Sequence, residues 1–280
     1  HLVNGRGAIT GATLAGHVDV DLISFTGGEQ AGRQIAKAAA DRFAKVTMEL
    51  GGKSANIICE DADYDRALEA AVASIYGNNG QACLAGSRIL VHQKLADRFI
   101  ADFVERAKNI RMGDPFDSDA DMGPQSSKAQ MERVLSFAEI ALEEGGEILC
   151  GGTRSSAFDT GFYVDPIVAL PRSNSDRICQ EEIFGPFASI MTFADDDEAV
   201  AIANDTRFGL AGYVWSADTN RASAVAAGLR TGYVMVNSGM VRERNAPFGG
   251  FGHSGVDREG GRWSLDFYSE AKTTVVKNDV

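Results

Sequence analysis

The stretch ISFTGGEQAGRQIAKAA, residues 23–39, decides the fold class. A short β-rich run ends at Thr26, two glycines turn the chain, and apolar residues then recur at helical spacing over residues 28–40. Strand, glycine turn and helix in that order is the unit from which parallel sheets are layered, and it aims the first free helix amides at whatever lies beyond the strand end. The glycines Gly27, Gly28 and Gly32 are spaced GGxxxG rather than GxGxxG, and no Lys-Ser/Thr pair makes a Walker loop. GRGAITG, residues 5–11, also lacks the spacing, so each cluster taken alone reads as a turn.

The same alternation continues along the chain. Strands are predicted at residues 21–26, 45–50, 56–59, 88–92, 147–150, 162–169, 188–193, 212–216 and 232–237. Helices are predicted at 28–40, 63–76, 94–108, 126–144, 196–204 and 219–228, each with apolar positions three and four apart, as in Leu95, Phe99, Phe103 and Val104. The expectation is an α/β fold with a mostly parallel sheet. Residues 245–261, NAPFGGFGHSGVDREGG, are glycine-rich and read as loop, and residues 271–277 read as a final strand. The chain begins HLVNGRG, which reads like the end of a strand and suggests a piece of a longer protein.

With 280 residues, 44% hydrophobic, the chain is long enough for one large domain or two smaller ones. Lys and Arg total 27 against 39 Asp and Glu, a net charge of -12, which argues against nucleic acid and anionic membrane as partners. Cysteines at 59, 83, 150 and 179 show no CxxC spacing and the four histidines form no ligand pair, so no metal site is expected. No apolar run approaches the roughly 18 residues of a membrane span, and the free thiols suggest a cytoplasmic setting.

Two motifs carry chemistry. In VTMELGGKS, residues 46–54, a strand ends at Glu49 before two glycines, and strand ends in parallel sheets border ligand crevices. Glu49 there reads either as a general base or as a solvated glutamate paired with Lys53. In GNNGQACLAGSR, residues 77–88, Cys83 sits among three glycines and two asparagines, where backbone amides reach a sulfur. A thiol nucleophile with a carboxylate base suits covalent catalysis through a thioester. Cys59, Cys150 and Cys179 lie in or beside apolar runs and read as packing.

FTGG, VTMELGGKS, GNNGQACLAGSR, EEIFGPF (181–187) and APFGGFGHSGVDREGG (246–261) stand in the order and spacing of the NAD(P)-dependent aldehyde dehydrogenases, which the chain resembles over essentially all 280 residues. The resemblance implies the C-terminal portion of such an enzyme. Residues 1–51 would be the remnant of a Rossmann-like cofactor domain, 52–250 the catalytic α/β domain, and 251–280 a tail with an oligomerisation strand. Cys83 is then the nucleophile that forms a thiohemiacetal with an aldehyde, and Glu49 activates the water that hydrolyses the resulting thioester. Gly27, Gly28, Leu50, Glu182 and Phe184 fall on cofactor-binding positions for NAD or NADP, while Lys53, Asn237 and Phe248 fall in motifs that shape the site. A homodimer or homotetramer is implied.

Within NSGMVRERN (237–245), Arg242 and Arg244 resemble the pair found in hydroxymuconic semialdehyde dehydrogenases, where a guanidinium suits a substrate carboxylate; the alternative is solvated charges paired with Glu243 and Asp257. Two positions depart from the family pattern: Gly28 stands where a serine usually bonds pyrophosphate, and Asp257 where a glycine is usual. Two other readings remain beside aldehyde oxidation, namely a thiol esterase without cofactor capacity and an inactive oligomerising fragment.

Overall fold

The computed structural model describes residues 1–277. Its ten strands are β1 (Leu22–Thr26), β2 (Lys45–Glu49), β3 (Ala55–Ile58), β4 (Arg88–His92), β5 (Glu147–Cys150), β6 (Ile167–Leu170), β7 (Phe187–Phe193), β8 (Ala211–Trp215), β9 (Tyr233–Val236) and β10 (Gly255–Val256). Its α-helices are α1 (Ala12–Gly16), α2 (Glu29–Ala40), α3 (Tyr64–Tyr76), α4 (Ala96–Lys108), α5 (Lys128–Glu143), α6 (Arg177–Gln180), α7 (Asp196–Asn204), α8 (Thr219–Gly228) and α9 (Gly261–Phe267).

The large sheet runs β5-β6-β7-β4-β3-β8-β9, parallel throughout except that β5 is antiparallel to β6. Helices cover both faces, so every residue of β3, β4 and β8 is buried, and alternate side chains enter different cores. Ile58, Ile89, Val91 and Ile190 pack with α3 and α4, where Phe99 and Phe103 are fully buried. Ile57, Leu90 and Val214 point to the other face and pack with Ala199, Ala203 and Val225 of α7 and α8. Asp63, Ser127, Asp195 and Asp218 cap α3, α5, α7 and α8 with side-chain oxygens that accept amide hydrogens of the first turn, which is why those helices begin where they do.

A smaller sheet has the order β1-β2-β10, with β1 and β2 parallel and β10 antiparallel to β2. The stretch read as loop at 245–261 therefore contains a strand, because Gly255 and Val256 have the open edge of β2 to pair with. The strand expected at 162–169 starts only at Ile167; Pro166 has no N–H to give a ladder, and Val164 forms just an isolated bridge to Arg154. Residues 271–277 form no strand and join neither sheet; a local β pattern makes a strand only within a ladder. The first four residues form none either, and Gly7–Gly11 is instead a helical turn leading into α1.

The two sheets meet edge to edge. β1 and β2 present their C-terminal ends, at Thr26 and Glu49, to the N-terminal ends of β3, β4 and β7, and the loops entering those three strands carry Lys53, Cys83 and Glu182. Cys83 and Glu49 thus occupy opposite kinds of strand end. Among the described residues no helix is long and apolar enough to cross a membrane, and no group of histidine, cysteine and acidic residues could hold a metal.

Candidate active site

Glu49 closes β2 and is held in register on both sides, opposite Thr26 of β1 and Gly255 of β10. Its side chain turns inward and is only 6% exposed, and neither carboxylate oxygen has a hydrogen-bond partner. Burial pushes its pKa from 4.5 up to about 7, with the charge of Glu259 acting in the same direction and Arg258 and Arg242 opposing. A carboxyl in that range suits a general base at neutral pH. The pairing with Lys53 does not form: the Lys53 ammonium is itself buried without a hydrogen-bond partner, and burial lowers its pKa to about 8. Gly249 lies beneath Glu49, where a side chain would bring its first carbon to 2.9 Å from Oε1.

Cys83 follows α3 and a tight turn, Gly77–Gly80, in which Asn78, Asn79 and Gly80 take left-handed φ values of 51°, 60° and 69°. The thiol is half-buried. Burial raises its pKa, as do the nearby charges of Glu182 and Glu49, whereas the backbone amides of Cys83 and Leu84 favour the thiolate. The resting sulfur is therefore a protonated thiol beside amides that can hold negative charge as it develops.

The wall facing Cys83 is the turn before β7. The Glu182 carboxylate lies against Gly51, where any side chain would overlap it, and Oε1 accepts the Gly52 amide hydrogen at 3.2 Å. Burial raises the pKa of Glu182, while the Gly52 amide, Lys53 and Arg133 oppose. Phe184 has φ 60°, unusual for an aromatic residue, and exposes 40% of its surface. Side chains of α5 hold this turn from behind: Gln130 Nε2 donates to the carbonyls of Ile183 (2.9 Å) and Phe184 (2.7 Å), and Arg133 donates to that of Glu182 (2.5 Å). On the opposite wall Leu50 packs against Gly32 of α2, whose N-terminus opens at Gly28 with no side-chain cap.

These elements enclose one cleft of about 870 Å³, within the size range of small-molecule sites. Its lining brings together Cys83, Glu49, Gly27, Gly28, Leu50, Glu182 and Phe184. Arg242 and Arg244 are exposed and do not line it. The Arg242 guanidinium stacks 4.2 Å over the ring of Phe248, close enough for its charge to act on Glu49. Phe248 in turn exchanges main-chain hydrogen bonds with Glu259 at 2.7 Å. Asn237 joins the far end of the large sheet, its side chain bonding both main-chain groups of Ser216. Asp257 takes the left-handed conformation, φ 71°, that the glycine usual at its position would favour. Sequence reading missed Gln130, Arg133, Arg258 and Glu259; the only available signal was that Gln130 and Arg133 stand three apart on one helix face.

The sequence profile of the aldehyde dehydrogenase family matches residues 1–274. The chain is 42% identical over 275 residues to betaine aldehyde dehydrogenase of Bacillus subtilis, covering 97% of this chain and 56% of that protein. It is 40% identical to the chloroplastic betaine aldehyde dehydrogenase of Beta vulgaris, covering 100% of this chain and 56% of that one. The crystal structure of betaine aldehyde dehydrogenase from Staphylococcus aureus in complex with NAD+ superposes with a TM-score of 0.93 at 40% identity, over 95% of this chain and 53% of that chain. A mutant aldehyde dehydrogenase from Bacillus cereus superposes with a TM-score of 0.92 at 38% identity, over 95% and 54%. The chain thus spans about half the length of the curated relatives it matches.

Proposed function

The chain belongs to the aldehyde dehydrogenase family, and from that premise we propose that its cleft oxidises an aldehyde to the carboxylic acid with NAD(P). The observation that carries this reading is the meeting of a half-buried thiol, Cys83, with a buried, unpartnered carboxylate, Glu49, in one cleft with the N-terminus of α2.

Cys83 acts as nucleophile. Its sulfur loses a proton, adds to the aldehyde carbon to give a thiohemiacetal, and the amide of Cys83 stabilises the oxyanion. When bound, NAD(P) would supply the hydride acceptor needed for the thiohemiacetal on Cys83 to become a thioester. Glu49 then takes a proton from water, and the hydroxide attacks the thioester carbonyl to release acid and free thiol. The cleft fits the cofactor. Gly27 and Gly28 leave the head of α2 open, with no atom near the place a Gly28 side chain would take; Leu50 supplies an apolar wall, Glu182 a carboxylate for a ribose hydroxyl, and Phe184 an exposed ring.

Residues 1–51, with β10 added from the tail, are read as part of a cofactor domain, and residues 52–250 as the catalytic domain. Residues 271–277 carry a strand-like sequence that suits adding to a sheet of a second copy, and a homodimer or homotetramer is the proposed assembly. For substrate, a carboxylated semialdehyde is favoured over the betaine aldehyde in the relatives' names. The support is Arg242, whose guanidinium acts electrostatically on Glu49 from its place over Phe248 and suits an anionic group on the substrate.

The test is turnover with NAD and an aldehyde, followed as NADH, together with peptide mapping of the trapped enzyme. Acyl adduct on Cys83 and loss of NADH formation in Cys83→Ser are expected. NADH formation that survives Cys83→Ser overturns the proposal.

A further inference from the structure

Cys83 is preceded by three successive left-handed residues, Asn78, Asn79 and Gly80. Asparagine tolerates that conformation better than most side chains, but as single residues rather than in runs, so something outside the turn must hold it. Gly80 explains part of this. Its backbone lies against Gly185 and Pro186 of the cofactor-side turn, where any side chain would overlap.

Asn79 supplies the rest. Its Oδ1 accepts the Gly123 amide hydrogen at 2.7 Å, its Nδ2 donates to the Pro124 carbonyl at 3.0 Å, and its own carbonyl accepts from Gln125 Nε2 at 3.2 Å. Two residues on, Gln81 Oε1 accepts the Ser126 amide hydrogen at 3.1 Å. Residues 123–126 therefore grip 79–81 through four hydrogen bonds. Asn78 bonds only within its own turn, to the Gln81 carbonyl at 2.8 Å. Asn78 and Gln81 line the cleft and Asn79 does not, so its side chain faces the supporting loop instead of a substrate.

We propose that Asn79 is a positioning residue. Its amide bridges Gly123 and Pro124, locking the left-handed turn against Gly185 so that Cys83 and its oxyanion-holding amide face the cleft. The functional consequence rests on the reading of Cys83 as nucleophile, whereas the clamp itself does not.

The experiment compares Asn79→Gly, which keeps the left-handed backbone and removes both side-chain bonds, with Asn79→Asp, which keeps the acceptor for Gly123 and loses the donor to Pro124. Three readouts are taken on each protein: the acylation burst with p-nitrophenyl acetate, the pH dependence of iodoacetamide alkylation at the Cys83 peptide, and amide exchange.

In Asn79→Gly, acylation is expected to slow at least tenfold while alkylation quickens and its pH midpoint falls toward that of free cysteine. Exchange should rise in residues 77–84 and stay unchanged in β3 and β4, with Asn79→Asp in between. Wild-type values for Asn79→Gly overturn the proposal, as does an equal loss of protection throughout β3 and β4. A burst that persists in Cys83→Ser refutes the nucleophile reading alone, and the alkylation midpoint and exchange pattern then decide the clamp.

Discussion

The amide of Gly52 donates to Oε1 of Glu182 at 3.2 Å, and this bond joins the segment after β2 to the turn before β7. It exists because Gly51, one residue earlier, has no side chain to displace the carboxylate. A chain segment from the small sheet thereby sets where a carboxylate of the large sheet stands.

Gly51→Ala forces the far end of a flexible side chain to move, so its effect should fall on binding more than on folding. Stability is expected to change by about 1 kcal/mol, as for one lost hydrogen bond, while NADH affinity in a fluorescence titration weakens at least tenfold. Unchanged affinity would mean that Glu182 does not contact the cofactor.

Gly28→Ser is expected to stabilise the protein. Gly28 has an extended backbone, φ -77° and ψ 152°, open space around it and no side-chain cap to offer α2. A serine oxygen there accepts a first-turn amide hydrogen, worth about 0.3 kcal/mol over glycine in urea unfolding.

Glu49 links stability and turnover to pH with a definite sign. Its folded pKa, about 7, exceeds the ordinary 4.5, so the unfolded chain binds fewer protons between those values and stability falls as pH rises from 4.5 through 7. Glu49→Gln should be more stable than the parent at pH 8, with the gap closing toward pH 4.5 in denaturant titrations. Thioester hydrolysis in the parent should rise through pH 7 and level off, and the variant should lose that limb along with most of the rate.

Alkylation of Cys83 reports the charges around it. Burial is the largest cause of its raised pKa, and the carboxylate of Glu182 adds to it. Glu182→Gln should therefore quicken iodoacetamide alkylation of the Cys83 peptide several-fold at pH 7.5, and the two rates should converge at high pH where the thiolate is fully formed.

Arg242 and Arg244 should separate. Both are exposed and outside the cleft lining, but of the two it is Arg242 that stacks on Phe248 and acts electrostatically on Glu49. Arg242→Ala is expected to raise KM for a carboxylated semialdehyde at least tenfold with little effect on a neutral aldehyde, and Arg244→Ala to change either by less than twofold. Equal effects of Arg242→Ala on both substrates would discard the carboxylate reading.

Much of the fold was legible because local periodicity reports burial directly. The helix pattern at 219–228 matches α8, and the apolar runs at 88–92 and 188–193 lie in β4 and β7, where neighbouring side chains alternate between two covered faces. Errors arose where pairing or its absence decided the outcome. Gly255 and Val256 carry no strand signal and become β10 through the free edge of β2, while residues 271–277 carry one and form no strand.

The candidate site divides in the same way. Sequence motifs offered Cys83 and Glu49 as a nucleophile and base, and the family resemblance added Glu182 and Phe184 as cofactor-side candidates. Only the tertiary structure put the C-terminal edge of one sheet against the N-terminal edge of another, removing water from Glu49 and surrounding Cys83 with carboxylates. Residue identity is local, whereas desolvation and charge proximity depend on groups that lie tens of residues apart in the chain and meet only when it folds.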